Sequence, residues 1–341
     1  MNSRERIRQV LCGATVDRLP RAIFGGGRWS YRQCGLQVED LKDDPAGFGD
    51  RLAELWGRLD TDIVFLGSGL NTFPAEAIGG ELAFGEAQAP LLSFPLIRST
   101  EDARDLDHID LEASPHALAL LEMVARVRRR LPGRYLCATS WGPFTWGMLL
   151  CDWQLLQEKA VSDPAFVGAV CDLGVRLSGA LIERLAAGGL VDGVCIADGA
   201  VTLVAEDLYR DVVLPRERRL FEHARSSGAG CFLHQCGKIA GQLALYPETG
   251  ADCVSLDAGV PIGEVYDRYH TRLTTAGNVD VIQCVRGADE AGLREAVAAC
   301  IAAVRTPLTR YILMPSCDLP PDTSIGNVRA FLACASRYPQ S

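Results

Sequence analysis

The chain has 341 residues, 48% of them hydrophobic, enough to bury one barrel-sized core or two ordinary ones. Its formal net charge of −9, with no basic stripe to offset it, excludes sequence-independent nucleic-acid binding, which needs clustered positive charge. Thirteen scattered cysteines exclude the disulfide framework of a small secreted domain; in a reducing compartment they read as buried thiols and a few candidate ligands.

Met1 to Gln9 is polar and charged, unlike a secretory signal, and no apolar stretch reads as long enough to cross a bilayer. Both point to a cytoplasmic protein with no membrane partner. Ser3 is placed to cap an N-terminal helix ending near Gly13. Strand-like runs follow near 21–24, 62–66, 134–139, 192–197, 230–234, 252–256, 272–276 and 309–314. The runs from Asp62 to Leu66 and from Val191 to Ile196 are almost continuously apolar, as strands covered on both faces should be. Segment 82–97 reads as an inserted hairpin, and Arg126–Arg130 as the solvated end of a helix. Further helices are predicted over 163–187 after Asp163-Pro164, over 204–226 with a break at Pro215, over 289–304 and over 324–336.

There is no solenoid repeat and no low-complexity linker. Eight strand–helix units in one continuous domain, 1–341, predict an α/β protein of the (β/α)8 TIM-barrel class with an N-terminal helical extension. A doubly wound open sheet is the alternative. Gly25-Gly26-Gly27 follows a strand but lacks the rest of the dinucleotide fingerprint.

Barrel chemistry sits where strands end. The fifth predicted strand ends Phe232-Leu233-His234-Gln235-Cys236-Gly237-Lys238. Residues two apart on a strand face the same way, so His234 and Cys236 can reach one metal ion, and imidazole with thiolate suits zinc. A satisfied core histidine beside a buried thiol has the same pattern. The eighth predicted strand ends Leu313-Met314-Pro315-Ser316-Cys317-Asp318. In a closed barrel it lies three strands from the fifth, across the mouth. Cys317 can then complete a three-ligand site with one open position, or be one more buried thiol. Asp198, ending the fourth strand, can orient substrate, transfer protons or cap the next segment. Trp141, Phe144 and Trp146, around Trp141-Gly142-Pro143-Phe144-Thr145, can wall an apolar substrate pocket or pack the barrel rim.

Several stretches, in order, resemble the uroporphyrinogen decarboxylase superfamily over nearly the whole chain. They are Asp17-Arg18-Leu19-Pro20, Gly142-Pro143-Phe144-Thr145, Val213-Leu214-Pro215, Leu233-His234-Gln235-Cys236-Gly237, Gly250-Ala251-Asp252, Gly277-Asn278 and Pro320-Pro321-Asp322-Thr323. The resemblance implies a (β/α)8 barrel. True decarboxylases hold a carboxylate-rich tetrapyrrole with an arginine-rich N-terminal loop and an active-site Asp, Tyr and His. This chain departs from that pattern. Phe24-Gly25-Gly26-Gly27-Arg28-Trp29 keeps only Arg28 of the loop, and the Asp, Tyr and His positions fall on Ser68, about Leu149, and Cys317. The electrostatic clamp that decarboxylation needs is therefore lost.

The other branch of the superfamily comprises cobalamin-linked methyltransferases, which share a His-x-Cys at the fifth strand and a distant Cys near the eighth. His234, Cys236 and Cys317 fall on those positions. The resemblance thus implies a zinc-dependent methyltransferase acting on a thiol or a methoxylated compound, as in O-demethylation. Its cobalamin would be supplied by a separate corrinoid protein, since the chain has no Asp-x-His-x-x-Gly of a corrinoid-carrying domain and no spare segment for one. Arg28 and the three aromatic residues would then contact the small-molecule methyl donor or acceptor. A decarboxylase-like lyase and a non-catalytic barrel that binds a corrinoid protein are the competing expectations.

Overall fold

A computed structural model of the chain describes residues 1–24, 27–85, 88–237, 241–304 and 309–336. Gly25, Gly26 and Lys238, quoted above, lie outside the described residues, as does the tip of the predicted hairpin.

Seven strands form one parallel sheet: β1 (Ile63–Leu66), β4 (Tyr135–Trp141), β5 (Gly193–Ala197), β6 (Gly230–Gln235), β7 (Cys253–Leu256), β8 (Thr274–Val279) and β9 (Tyr311–Pro315). They pair in that order, each with the next in sequence. The insertion forms the antiparallel pair β2 (Leu82–Gly85) and β3 (Gln88–Leu92), as expected of a hairpin. The expected strand at 21–24 is shorter than predicted. Arg21 bridges Leu313 of β9 and Ala22 bridges Ile63 of β1, both in parallel. The Ala22 amide donates to the Leu313 carbonyl (3.0 Å), and the Asp62 amide donates to the Arg21 carbonyl (2.8 Å). Pro20 has no N–H with which to extend the ladder upstream. The sheet therefore curls into a TIM-barrel-like wall of seven strands, its two edges joined by two single bridges.

Alternation along the strands sorts their side chains into two layers. Phe24, Ile63, Phe65, Tyr135, Cys137, Cys195, Phe232, Cys253, Ala276, Ile312 and Met314 pack together as the barrel interior, with Ile7 and Val10 of the N-terminal helix joining them. Val64, Leu136, Val194, Leu233, Val254 and Leu313 face the surrounding helices in a second layer. The helix cap is one residue earlier than expected. Asn2 caps Ser3–Leu11 through a reciprocal box with Glu5, and Ser3 is the first helical residue.

The helix Pro164–Ala187, capped by Asp163, corrects the expectation that no segment could cross a bilayer. By length and composition it could, but 78% of its most apolar window is buried inside the protein. Helix 204–226 does not break at Pro215. Tyr209–Val213 widens into a π-helical turn just before the proline, which sits in the first turn of Leu214–Ser226. The arginine run is also only partly solvated. Arg126 pairs with Asp50 (2.6 Å), and Arg128 pairs with the buried Asp192 (2.5 Å). Asp192 gathers Arg4 and Arg8 as well, while Asp62 gathers Arg6 and Arg18. These clusters tie the N-terminal helix to the residues leading into β5 and β1. In a barrel that end serves stability, leaving the opposite end for chemistry.

Candidate metal centre

At the C-terminal end of β6 the interior face continues from Phe232 to His234. His234 is buried, at 3% exposure. Its Nδ1 lies 3.0 Å from Ser255 Oγ, and Ser255 is its register partner on β7. Its ring stacks on Phe24, centroids 4.9 Å apart at 27°. These two contacts aim Nε2 at Cys236 Sγ, 2.8 Å away, and at Cys317 Sγ, 3.6 Å away. The two sulfurs are 3.3 Å apart. Cys317 arrives from the turn after β9, so the sheet's curl brings together residues 81 and 83 positions apart.

The donor set fits zinc. One imidazole and two thiols converge, and among the described residues this is the single group of three metal-type donors so placed. A tetrahedral zinc, with Zn–S near 2.3 Å and Zn–N near 2.0–2.1 Å, holds its ligand atoms about 3.5–3.8 Å apart. Two sides of the triangle are close to that spacing, and the third needs to open by somewhat under ~1 Å. The electrostatics are those of a thiolate site. The hydrogen bond shared by the two sulfurs, aided by His234, holds the Cys317 thiol down to about 4 despite burial, and Cys236 is correspondingly pushed up. Burial lowers the pKa of His234, but the adjacent Cys317 more than restores it.

A carboxyl group that the sequence reasoning passed over stands beside this site. Asp318 accepts a hydrogen bond from Ser68 Oγ (2.7 Å), and burial, with the Cys317 charge, raises its pKa to about 7. Ser68, where the resemblance would put the decarboxylase Asp, is thus the hydrogen-bond partner of Asp318. Adjacency to Cys317 was the available signal. Ser255 had none, because its role depends on strand register.

Asp198 does not face the metal donors. Its carboxylate accepts from the amides of Phe144 (3.2 Å) and Thr145 (2.7 Å) and from Thr145 Oγ1 (2.7 Å), capping the first turn of Pro143–Leu150 from outside. A Cβ at Gly142 would stand 2.2 Å from the Asp198 Cβ, so glycine is what lets the carboxylate approach. The alternative of a cap thus prevails, on the neighbouring helix instead of the next segment. Behind it, Glu217 is fully buried and accepts from Tyr209 OH (2.7 Å) and Gln235 Nε2 (3.0 Å). Burial first, then the facing Asp198 charge, raises Glu217 to about 8; burial raises Asp198 to about 6.

The aromatic expectations divide. Trp146 is corrected. It is fully buried in the outer layer and donates its indole N–H to Ser178 (2.8 Å), so it packs helices together. Phe144, 1% exposed, packs in the same outer cluster. Trp141 ends β4 half-buried, its indole donating to Thr72 Oγ1 (3.1 Å), and stays at the rim. Arg28 opens the helix Arg28–Gln33 and lines a cavity of about 480 Å3 with Tyr31, Phe84 and Pro321.

The model of the uroporphyrinogen decarboxylase (URO-D) family matches residues 2–338. A uroporphyrinogen decarboxylase of Rhizorhabdus wittichii is 28% identical over 330 residues, covering 89% of this chain and 92% of that one. A methylated-thiol–coenzyme M methyltransferase of Methanosarcina mazei is 24% identical over 270 residues, covering 78% and 70%. A solved methyltransferase from Methanosarcina mazei shares the fold at a TM-score of 0.84, with 19% identity over 98% of both chains. A match to the family model across nearly the whole chain, on a barrel-like fold, shows that this chain belongs to the uroporphyrinogen decarboxylase (URO-D) family.

Proposed function

We propose that this chain is a cytoplasmic zinc-dependent methyltransferase, moving a methyl group between a small thiol or methoxylated substrate and the cobalamin of a separate corrinoid protein. The observation that carries this reading is the convergence of His234, Cys236 and Cys317 at the barrel mouth, in a family whose relatives include methyltransferases. The three residues would hold the metal. Zinc bound there supplies Lewis acidity, keeping a thiol as thiolate or polarising an ether oxygen.

The protein's own groups prepare that site. With Nε2 on the metal, Nδ1 keeps its proton, and Ser255 Oγ, 3.0 Å away, is placed to accept it. The Phe24 ring covers one face of the imidazole and keeps water from it. Cys317 brings a thiolate charge to the mouth. Asp198 acts as a positioning residue, fixing the helix that follows Trp141, and Trp141 and Arg28 are the rim groups left to contact substrate. All thirteen cysteines are free thiols, which suits a reducing cytoplasm.

The test is metal content. The purified protein should carry about one zinc per chain, lost in Cys317→Ser and His234→Ala, and should exchange methyl groups with a corrinoid protein only when loaded. Absence of zinc after metal-supplemented growth overturns the reading. A lyase reading is favoured by one feature, the Asp318–Ser68 pair where the decarboxylase acid is expected. Turnover of a carboxylated tetrapyrrole by metal-free protein, lost in Asp318→Asn, would establish it instead.

A further inference from the structure

Outside the barrel wall, between the helices Pro164–Ala187 and Leu214–Ser226, lies a cavity of about 650 Å3. Four arginines line it, Arg104, Arg176, Arg216 and Arg219, against one carboxylate, Asp172. Asp172 is used up by two of them: Arg216 Nη2 reaches Oδ2 at 2.8 Å and Arg219 Nη1 reaches Oδ1 at 2.6 Å. Arg176 donates to the carbonyls of Ala103 (2.8 Å) and Leu106 (3.1 Å), neutral acceptors that fix its position. Arg104 has no ion-pair partner among the described residues. Arg216 Nε is buried with no hydrogen-bond acceptor. Four guanidinium groups therefore line the cavity with one carboxylate among them, in a chain whose net charge is −9.

The concavity is built into the helix. Ala165, Gly168, Ala169 and Asp172 present small side chains toward it, and a Cβ at Gly168 would stand 2.8 Å from Arg216 Nη2. Burial lowers the pKa of Arg176; the Asp172 and Asp107 charges oppose that shift, and the repulsion of Arg219 adds to it. Guanidinium forks match tetrahedral oxyanions in pairs, which relieves that repulsion. A neighbouring cavity of about 570 Å3 shares Pro164 and Val212 and is lined by Trp153, Val161 and Leu203, with Asp207 and Asp211 also on its wall. Val161 is 88% exposed and Leu203 62%. The volumes are those of small-molecule sites, roughly 300–1,000 Å3.

We propose that this outer cavity binds a small organic phosphate, its phosphate held by the guanidinium edges that Asp172 leaves free and its apolar body resting on the Trp153 side. The site is separate from the metal donors and independent of the methyl-transfer reading. Calorimetric titration of the full chain with phenyl phosphate and with inorganic phosphate, at low salt, tests it. Phenyl phosphate should bind more tightly than inorganic phosphate. Arg216→Gln and the exposed Arg104→Gln should each weaken it by about tenfold, with circular dichroism unchanged. No binding of phenyl phosphate, or equal binding in Arg104→Gln and the parent, overturns the proposal. Binding of a glutamate-rich peptide that phenyl phosphate cannot displace also overturns it, and assigns the face to an acidic protein partner.

Discussion

Replacing Ser255 with alanine isolates the contact that aims the histidine without touching a metal donor. Ser255 Oγ lies 3.0 Å from His234 Nδ1, both groups are buried, and no other partner among the described residues reaches that nitrogen. Ligation through Nε2 places the proton on Nδ1, so the variant strands a buried N–H. A buried donor left unpaired costs about 1–3 kcal/mol. The Phe24 stack still restrains the ring, so the lower part of that range, about 1–2 kcal/mol, is expected. At about 1.4 kcal/mol per decade this is a 5- to 30-fold loss of zinc affinity, overlapping the lower part of the range of about 10–100-fold for outer partners of metal-bound histidine. Competition against a chromophoric chelator measures it, with Cys317→Ser as the reference for a lost ligand. Zinc affinity within about twofold of the parent would show that Ser255 does not orient the ligand. A loss as large as that of Cys317→Ser would show that the triangle collapses without it.

Other expectations follow from buried charge. Glu217 has its pKa raised from 4.5 to about 8, so its contribution to stability is fully present below about 4.5 and is lost as pH rises through about 8. Glu217→Gln should therefore gain on the parent in urea unfolding between pH 5 and 8.5; a pH-independent difference refutes the assignment. Asp62→Ala removes one of the two carboxylates paired with Arg6, whose side chain is 5% exposed and which keeps Asp17 (2.6 Å), and should cost about 3 kcal/mol, read as a shifted urea midpoint; a loss under about 1 kcal/mol means Asp17 suffices for Arg6. Gly142→Ala drives a methyl into Asp198 and should cost at least the ~1–2 kcal/mol of a helix cap, visible as a lower Tm; an unchanged Tm would show that the carboxylate has room to move.

The strands were legible because each is a short apolar run bounded by turn residues, a local property of the chain. His234 and Cys236 were readable from their spacing of two, and Cys317 from where its strand ends. What escaped depends on neighbours the sequence does not display. Ser255 matters only because β7 registers it opposite His234. Trp146 and Trp141 look equivalent in sequence, yet one sits on a helix facing outward and the other on a strand end. Asp198 looks like a mouth residue, but the alternation that turns Cys195 inward turns it toward the neighbouring helix Pro143–Leu150. Pro215 announced a break that the preceding π-turn absorbs.

The bridges of Arg21 and Ala22 give the metal centre a timetable. The segment that joins the sheet's edges sits near residue 20, and its partner strand lies near residue 313. Contacts so distant in sequence form late, after the intervening units have docked. Until then His234 and Cys236 are a two-donor fragment on a single strand, and Cys317 is elsewhere. High-affinity zinc uptake should thus mark the completed circuit of the chain, and the ion, once taken up, should oppose its reopening in proportion to the logarithm of its free concentration.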